Sequence, residues 1–285
     1  MEQARMLNID ILSIRKQDLL ERLESGVLYT PNVDHMVRLQ KDRVFWEAYR
    51  QADWVVCDSV ILHRLSRLLK HGIVESIPGA TFFREFCDYH REDEGCKIFI
   101  LGGKEGVPQR AMENINRRMG RRMVVGAYSP SFHFVEDEQE NLELVRMVKE
   151  SGTTVLVVCA TSPKQEIWIA KYRRMLEEGH TEITEITEMN GRPSDSKLYE
   201  NYTKCTVGAE KDKSVRLFMA LGATVDFEAG TVTRCPLWIQ RLGMEWFWRF
   251  CLEPRRLFKR YWVNDMKFFW YFGKQLVGAY KNPFG

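Results

Sequence analysis

Much of what this 285-residue chain is not can be read from what it lacks. No apolar run approaches the roughly 20 residues that span a bilayer. Even Phe268-Phe269-Trp270-Tyr271-Phe272 is hemmed by Lys267 and Lys274, so no membrane crossing is expected. The N-terminus, MEQARMLNIDILSIRKQDLL, mixes charged and apolar residues every few positions. Without an h-region or a small-residue cleavage site it reads as unprocessed and cytosolic. The seven cysteines (Cys57, Cys87, Cys96, Cys159, Cys205, Cys235, Cys251) form an odd set with no C-x-x-C pair. Several lie in apolar runs, where a reduced thiol serves as a small hydrophobe. The six histidines show no metal spacing, and no D-x-D pair follows an apolar strand. Glu136-Asp137-Glu138 reads instead as a solvated helix start, so neither a metal nor another cofactor is expected. No G-x-G-x-x-G follows the first strand of the repeating pattern, which disfavours a dinucleotide-dependent enzyme. A net charge of +3 is too mild for wholesale nucleic-acid binding.

What is present is a 45% hydrophobic composition arranged in a βαβ rhythm. Val27-Leu28-Tyr29 is followed by a helical stretch from Asp34 to Gln51, then by Trp54-Val55-Val56-Cys57 and a helix from Ile61. Further strands are expected at Lys97–Leu101, Met123–Gly126, Thr154–Val158 and Leu217–Leu221, with helices from Val107, over Asn141–Glu150, and from Pro163. Strands apolar on both faces imply a sheet covered on both sides. The expected fold is therefore α/β and Rossmann-like, a mostly parallel sheet flanked by helices. Small or polar residues follow each strand: Thr30-Pro31-Asn32, Asp58-Ser59, Gly102-Gly103, Tyr128-Ser129-Pro130, Thr161-Ser162-Pro163 and Gly222-Ala223-Thr224-Val225-Asp226. All would fall at the carboxyl edge, where doubly wound folds bind ligands.

The rhythm lapses between about 180 and 215 into Thr181–Glu188, Gly191-Arg192-Pro193-Ser194 and the charged run Glu210–Lys213, which reads as an exposed insertion. From Arg234 the composition changes again. Ten basic residues up to Lys281 face only Glu245, Glu253 and Asp265, interleaved with Trp238, Trp246, Trp248, Tyr261, Trp262, Phe269 and Trp270. Leu257, Tyr261, Met266, Phe269 and Leu276 recur at helical spacing behind Pro254. The division expected is a core over 1–233, carrying the insertion, and a basic amphipathic helical appendage over 234–285 that seeks an anionic membrane surface.

Several segments, in one order, resemble the WecG/TagA/CpsF family of bacterial glycosyltransferases. They are Thr30-Pro31-Asn32 with Ala52–Asp58, Ser162–Ile169, and Gly222–Gly230 leading into Arg234-Cys235-Pro236. The tail adds Glu245–Arg249, Glu253-Pro254-Arg255-Arg256 and Arg260-Tyr261, so the resemblance runs from about residue 8 to residue 262. It implies an inverting, metal-independent enzyme of the hexosyl- or N-acetylhexosaminyl-transferase type. Such an enzyme passes a sugar from a UDP-sugar to a polyprenyl-pyrophosphate-linked glycan at the inner face of the cell membrane.

Glycosyl transfer needs a base for the acceptor hydroxyl, a seat for the donor, and positive charge for the departing diphosphate. Asp58, at the end of a buried strand, matches the family's proposed catalytic aspartate, and its bland alternative is a cap for the helix beginning near Ser59. Thr30 and Asn32 can contact the donor or simply close a turn into the next helix. Gly102 and Gly103 allow close backbone approach to a phosphate, as they would allow any tight turn. Gln165 and Glu166 lie in the first turn after Pro163, where an acid also favours the helix dipole. Asp226 can read ribose or sugar hydroxyls, or serve only as a turn residue before Gly230. The strand ends bring little positive charge, so Arg249, Arg256 or Arg260 of the tail are expected to neutralise the leaving group, unless they only meet lipid headgroups.

Two positions depart from the family pattern: Ser59 stands where a glycine is usual after the aspartate, and Ser76 where an arginine precedes Ile77-Pro78-Gly79. Both bear on a second reading, a catalytically silent homologue that binds nucleotide-sugar or lipid-linked glycan as a scaffold. Apolar tail residues exposed off the membrane would also promote homo-oligomers.

Overall fold

Period-two alternation in the strands divides the interior into two cores, one on each face of a sheet. The computed structural model describes residues 1–178, 214–233 and 265–285. The chain opens with an antiparallel hairpin, β1 (Gln3–Met6) and β2 (Ile9–Leu12), turned through Leu7 at φ 52°. There follow α1 (Lys16–Arg22), β3 (Gly26–Tyr29), α2 (Val33–Arg38), α3 (Arg43–Arg50), β4 (Trp54–Val55), α4 (Val60–Ser66) and α5 (Gly79–Tyr89). Next come β5 (Ile98–Gly102), α6 (Val107–Met119), β6 (Val124–Tyr128), α7 (Glu138–Glu150), β7 (Val155–Cys159) and α8 (Lys164–Glu177). The last described elements are β8 (Leu217–Ala220), α9 (Thr224–Glu228) and α10 (Met266–Leu276).

Strands β3 to β8 form one six-stranded sheet in the order β4-β3-β8-β7-β5-β6, and every pairing in it is parallel. The Rossmann-like α/β expectation therefore holds. Val27, Tyr29, Phe99, Leu101, Leu156, Val158 and Phe218 point into one core, shared with Phe45 and Tyr49 of α3, Val145 of α7, and Trp168 and Tyr172 of α8. Leu28, Ile98, Ile100, Val155, Val157 and Met219 point into the other, shared with Leu19 of α1, Phe82 and Phe86 of α5, Ile115 of α6 and Val225 of α9.

This partition positions the site. The loops leaving β3 and β7 rise into helices on one face, whereas the loop leaving β8, the strand between them, drops into α9 on the other. Diverging connections of this kind are where doubly wound folds form ligand crevices, here at the carboxyl ends of the strands flanking β8.

Two expectations change in detail. The single helix from Asp34 to Gln51 is broken into α2 and α3, because Asp42 takes up a cap position and its side chain accepts the Phe45 N–H at 3.0 Å. On the last helix the repeat noticed in the sequence faces outward: Met266, Phe269 and Leu276 are exposed, while Phe268 and Phe272 are buried against the core. That helix lies beside α2 and also grips the first hairpin. Gln275 Oε1 accepts the Leu7 N–H at 2.8 Å and its Nε2 donates to the Arg5 carbonyl at 2.8 Å. Further on, the Phe284 ring tilts against Trp46 with centroids 5.5 Å apart.

The insertion expected over about 180–215 falls almost wholly outside the described residues. Its described return is anchored, since the Val215 N–H reaches the Leu176 carbonyl at 3.1 Å. Cys57, Cys87, Cys96 and Cys159 are buried free thiols, and burial pushes Cys57 and Cys159 up to about 12. They are fillers rather than nucleophiles. Cys205, Cys235 and Cys251 lie outside the described residues.

Candidate active site at the carboxyl edge

Asp58 follows the short edge strand β4 and is half-buried. Its backbone N–H donates to the Pro31 carbonyl at 3.2 Å, which sets it beside the loop after β3. Its carboxylate does not cap the helix that follows it. Ser59 does that, its Oγ accepting the Leu62 N–H at 3.4 Å, while Asp58 Oδ1 accepts the N–H of Gly79 at 2.9 Å, the first residue of α5. Gly79 fits there because it has no side chain: a Cβ would lie 3.2 Å from Leu221 Cδ2 and 3.3 Å from Thr30 Oγ1. One glycine thus gathers Thr30, Asp58 and Leu221, residues from the ends of three strands.

Both departures from the family pattern have local work. Ser59 is the cap just described, and Ser76 Oγ donates to the Asp58 carbonyl at 3.3 Å, while the Ile77 N–H donates to the Cys57 carbonyl at 2.6 Å. The 76–79 segment is thereby laid along the end of β4.

Asn32 caps α2, its Oδ1 accepting the His35 N–H at 3.2 Å. Gln165 and Glu166 start α8 as expected, and both are buried. Gln165 Nε2 donates to Glu166 Oε1 at 2.9 Å, and its Oε1 accepts the Gly222 N–H at 2.9 Å, pinning the loop after β8. Glu166 is wholly enclosed, its Oε2 has no hydrogen-bond partner among the described residues, and Tyr29 Oη donates to its backbone carbonyl at 2.9 Å. Burial raises the Glu166 carboxyl to about 7, against the lowering influence of Gln165, Ser162 and Arg38. Below lies a second polar pair, His35 Nδ1 and Tyr49 Oη at 2.8 Å.

Gly102 and Gly103 have positive φ, 118° and 90°. The close approach that they permit is to protein: a Cβ on Gly102 would sit 2.4 Å from the Cys159 carbonyl oxygen, and one on Gly103 3.1 Å from Val225 Cγ1. Helix α6 starts only after Lys104-Glu105-Gly106. Asp226 sits within α9, its carbonyl accepting the Thr231 N–H at 3.0 Å. Thr30, Asn32, Asp58, Gln165 and Glu166 thus meet around the end of β8, with Asp226 on the α9 side. Arg249, Arg256 and Arg260 lie outside the described residues.

The sequence reading missed a cation. Arg38, one helical turn beyond Asp34, pairs with it through Nε at 2.9 Å and donates from Nη1 to the Ser162 carbonyl at 3.3 Å. An i,i+4 acid–base pair on an otherwise buried helix was the available signal.

The sheet and its polar carboxyl edge define a doubly wound α/β protein whose connections switch faces around β8, the place where folds of this kind bind ligands. The model of the glycosyl transferase WecG/TagA/CpsF family matches residues 4–182 and 208–282, and the chain belongs to that family. The match steps over 183–207, inside the stretch where the βαβ rhythm lapses, and continues through α10. It is a family of glycosyltransferases of cell-surface polysaccharide synthesis, which take a nucleotide-sugar donor and a glycan acceptor.

Proposed function

We propose that this glycosyltransferase is inverting and metal-independent, and that it moves a hexosyl or N-acetylhexosaminyl group from a UDP-sugar to a polyprenyl-pyrophosphate-linked saccharide. The observation that carries the reading is the convergence of Thr30, Asp58 and the pinned Gly222 loop at the end of β8 in a chain of this family. Asp58 acts as the base that takes the acceptor hydroxyl proton as its oxygen attacks the anomeric carbon and the UDP oxygen leaves. The Gly79 N–H holds one of its oxygens, fixing the carboxylate's orientation. Thr30, Asn32, Gln165 and Asp226 line the donor's seat, Glu166 stands behind Gln165, and Gly102 and Gly103 shape the neighbouring loop. The tail's Arg249, Arg256 and Arg260 stabilise the leaving diphosphate.

The enzyme works at the inner face of the cell membrane. Among the described residues no helix is long and apolar enough to cross a membrane, but α10 and its end expose Met266, Phe269, Trp270 and Val277, with Lys274 Nζ 4.8 Å from the Trp270 ring centroid. That mixture of apolar and cationic surface suits an anionic interface. Flotation with anionic liposomes should fall when Phe269 and Trp270 are both replaced by serine; unchanged flotation counts against the tail's role.

The decisive measurement is UDP release from UDP-sugars in the presence of lipid-linked acceptors. Asp58→Asn keeps an oxygen for the Gly79 N–H, so the fold should persist while turnover drops about 10²- to 10⁴-fold. A wild-type protein that binds UDP yet turns over no UDP-sugar sinks the catalytic reading. It would favour the silent scaffold, for which Ser59 and Ser76, the two departures from the family pattern, are the motivating features.

A further inference from the structure

A departing diphosphate needs positive charge, and helix α2 brings a cation to this edge. Helix α2 follows β3, and Ser162 belongs to the loop after β7; between those two strands lies β8. Neighbouring strands stand about 4.8 Å apart, so a side chain of α2 that bonds to the β7 loop bridges two strand spacings, roughly 10 Å, over the end of β8. Arg38 makes that bridge, with Nη1 on the Ser162 carbonyl at 3.3 Å. We infer that Arg38 holds the diphosphate of the nucleotide donor above the end of β8, in the crevice where Gln165 pins Gly222.

Three features support the assignment, which rests on the reading of the crevice as a nucleotide-sugar site. The side chain is preset: Nε is tied to Asp34 at 2.9 Å and Nη1 to the β7 loop, so little rotamer freedom remains to be lost on binding. Its charge is presented outward, because the Arg38 side chain is 43% exposed while the Asp34 side chain that balances it is only 7% exposed. Nη2 makes no hydrogen bond among the described residues, and a guanidinium edge matches phosphate oxygens in a way that an ammonium does not. Lys164, at the start of α8, is engaged elsewhere: its Nζ donates to the Phe132 carbonyl at 2.5 Å and lies 4.0 Å from the Phe132 ring centroid. The Arg38 charge is felt within the site, where it favours the ionised form of buried Glu166.

The test is calorimetric titration of the full chain, wild type, R38Q and R38K, with UDP, uridine and inorganic pyrophosphate. R38Q should weaken UDP and pyrophosphate roughly 10- to 100-fold, the worth of a charge-assisted contact, and leave uridine within about twofold. R38K should recover part of the loss. R38Q binding UDP as wild type does overturns the inference, and so does a parallel loss of uridine, which marks Arg38 as only a strut between α2 and the β7 loop. If R38Q does not fold, R38K decides: a loss of roughly threefold for UDP with uridine unchanged supports the inference, and wild-type affinity overturns it. Failure of the underlying reading looks different. A wild-type protein that binds pyrophosphate through Arg38 but not UDP refutes the nucleotide donor and keeps the anion site; one that binds neither refutes both.

Discussion

At the amino edge of the sheet charge answers charge: Arg173 reaches Asp53 at 3.0 Å and Glu177 at 2.7 Å around a shallow depression bordered by Ser25 and Arg216. At the carboxyl edge, the Arg38–Asp34 pair aside, the side chains described above answer loop backbone. Asp58 holds the Gly79 N–H, Gln165 the Gly222 N–H and Asn32 the His35 N–H. Half-exposed ion pairs contribute little and tolerate rearrangement. Side chains that fix loop backbones decide where the next groups stand, and so the second edge is the one suited to hold a substrate.

Paired glycine substitutions test the contrast most severely. Gly102→Ala places a Cβ 2.4 Å from the Cys159 backbone oxygen at the carboxyl ends of the paired strands β5 and β7, at φ 118°, and should cost roughly 3 to 5 kcal/mol in urea unfolding. Gly26→Ala, at the opposite edge and φ 98°, meets the Asp53 carboxylate at 2.7 Å. The carboxylate can turn away but the Asp53 Cβ, at 2.8 Å, moves only with the backbone ahead of the short edge strand β4; that edge can give, so the expected loss is about 1 to 3 kcal/mol. Equal losses would erase the distinction between a rigid and a yielding edge.

Glu166 gives a test with a sign. Its carboxyl is raised from 4.5 to about 7 in the folded protein. Between those values the folded chain keeps a proton that the unfolded chain has released. Stability from this group is therefore full below about pH 4.5, declines as pH rises, and is lost above about 7. Glu166→Gln removes the slope. Relative to wild type it should gain stability between about pH 5 and pH 8, by on the order of 3 kcal/mol at most, read from urea midpoints at each pH. A pH-independent difference would mean that Glu166 is already ionised at the lower pH. The smallest effect belongs to the amino edge: Asp53→Asn, which keeps an oxygen for the Val27 N–H, should lose no more than about 1 kcal/mol. A larger loss would show that edge to be more than mutual neutralisation.

The strands were legible because Val155–Cys159 or Ile98–Gly102 can only be covered on both faces, and residues such as Asp58 and Gln165 were legible from where those strands stop. Other features left no local trace. The place of β8 between β3 and β7 is a matter of pairing, which apolar patterning does not encode. One partner of Asp58 is a backbone N–H 21 residues away, and a glycine's amide carries no side-chain signature. Glu166 reads as a solvated first-turn acid until Tyr29 and Gln165 are seen to enclose it. Arg38 reads as ordinary helix surface until the β7 loop is placed against it. The outward stripe of α10 was visible, but the Phe268 and Phe272 pair that docks the helix was lost in a run of five aromatics.

The clasp of Gln275 on the first hairpin joins residues 268 positions apart. During synthesis the Leu7 amide waits for the 268 residues that follow it to be made before it meets its partner. Until then the surface that Phe268 and Phe272 will cover stays open to whatever is nearby, whether water, chaperone or lipid.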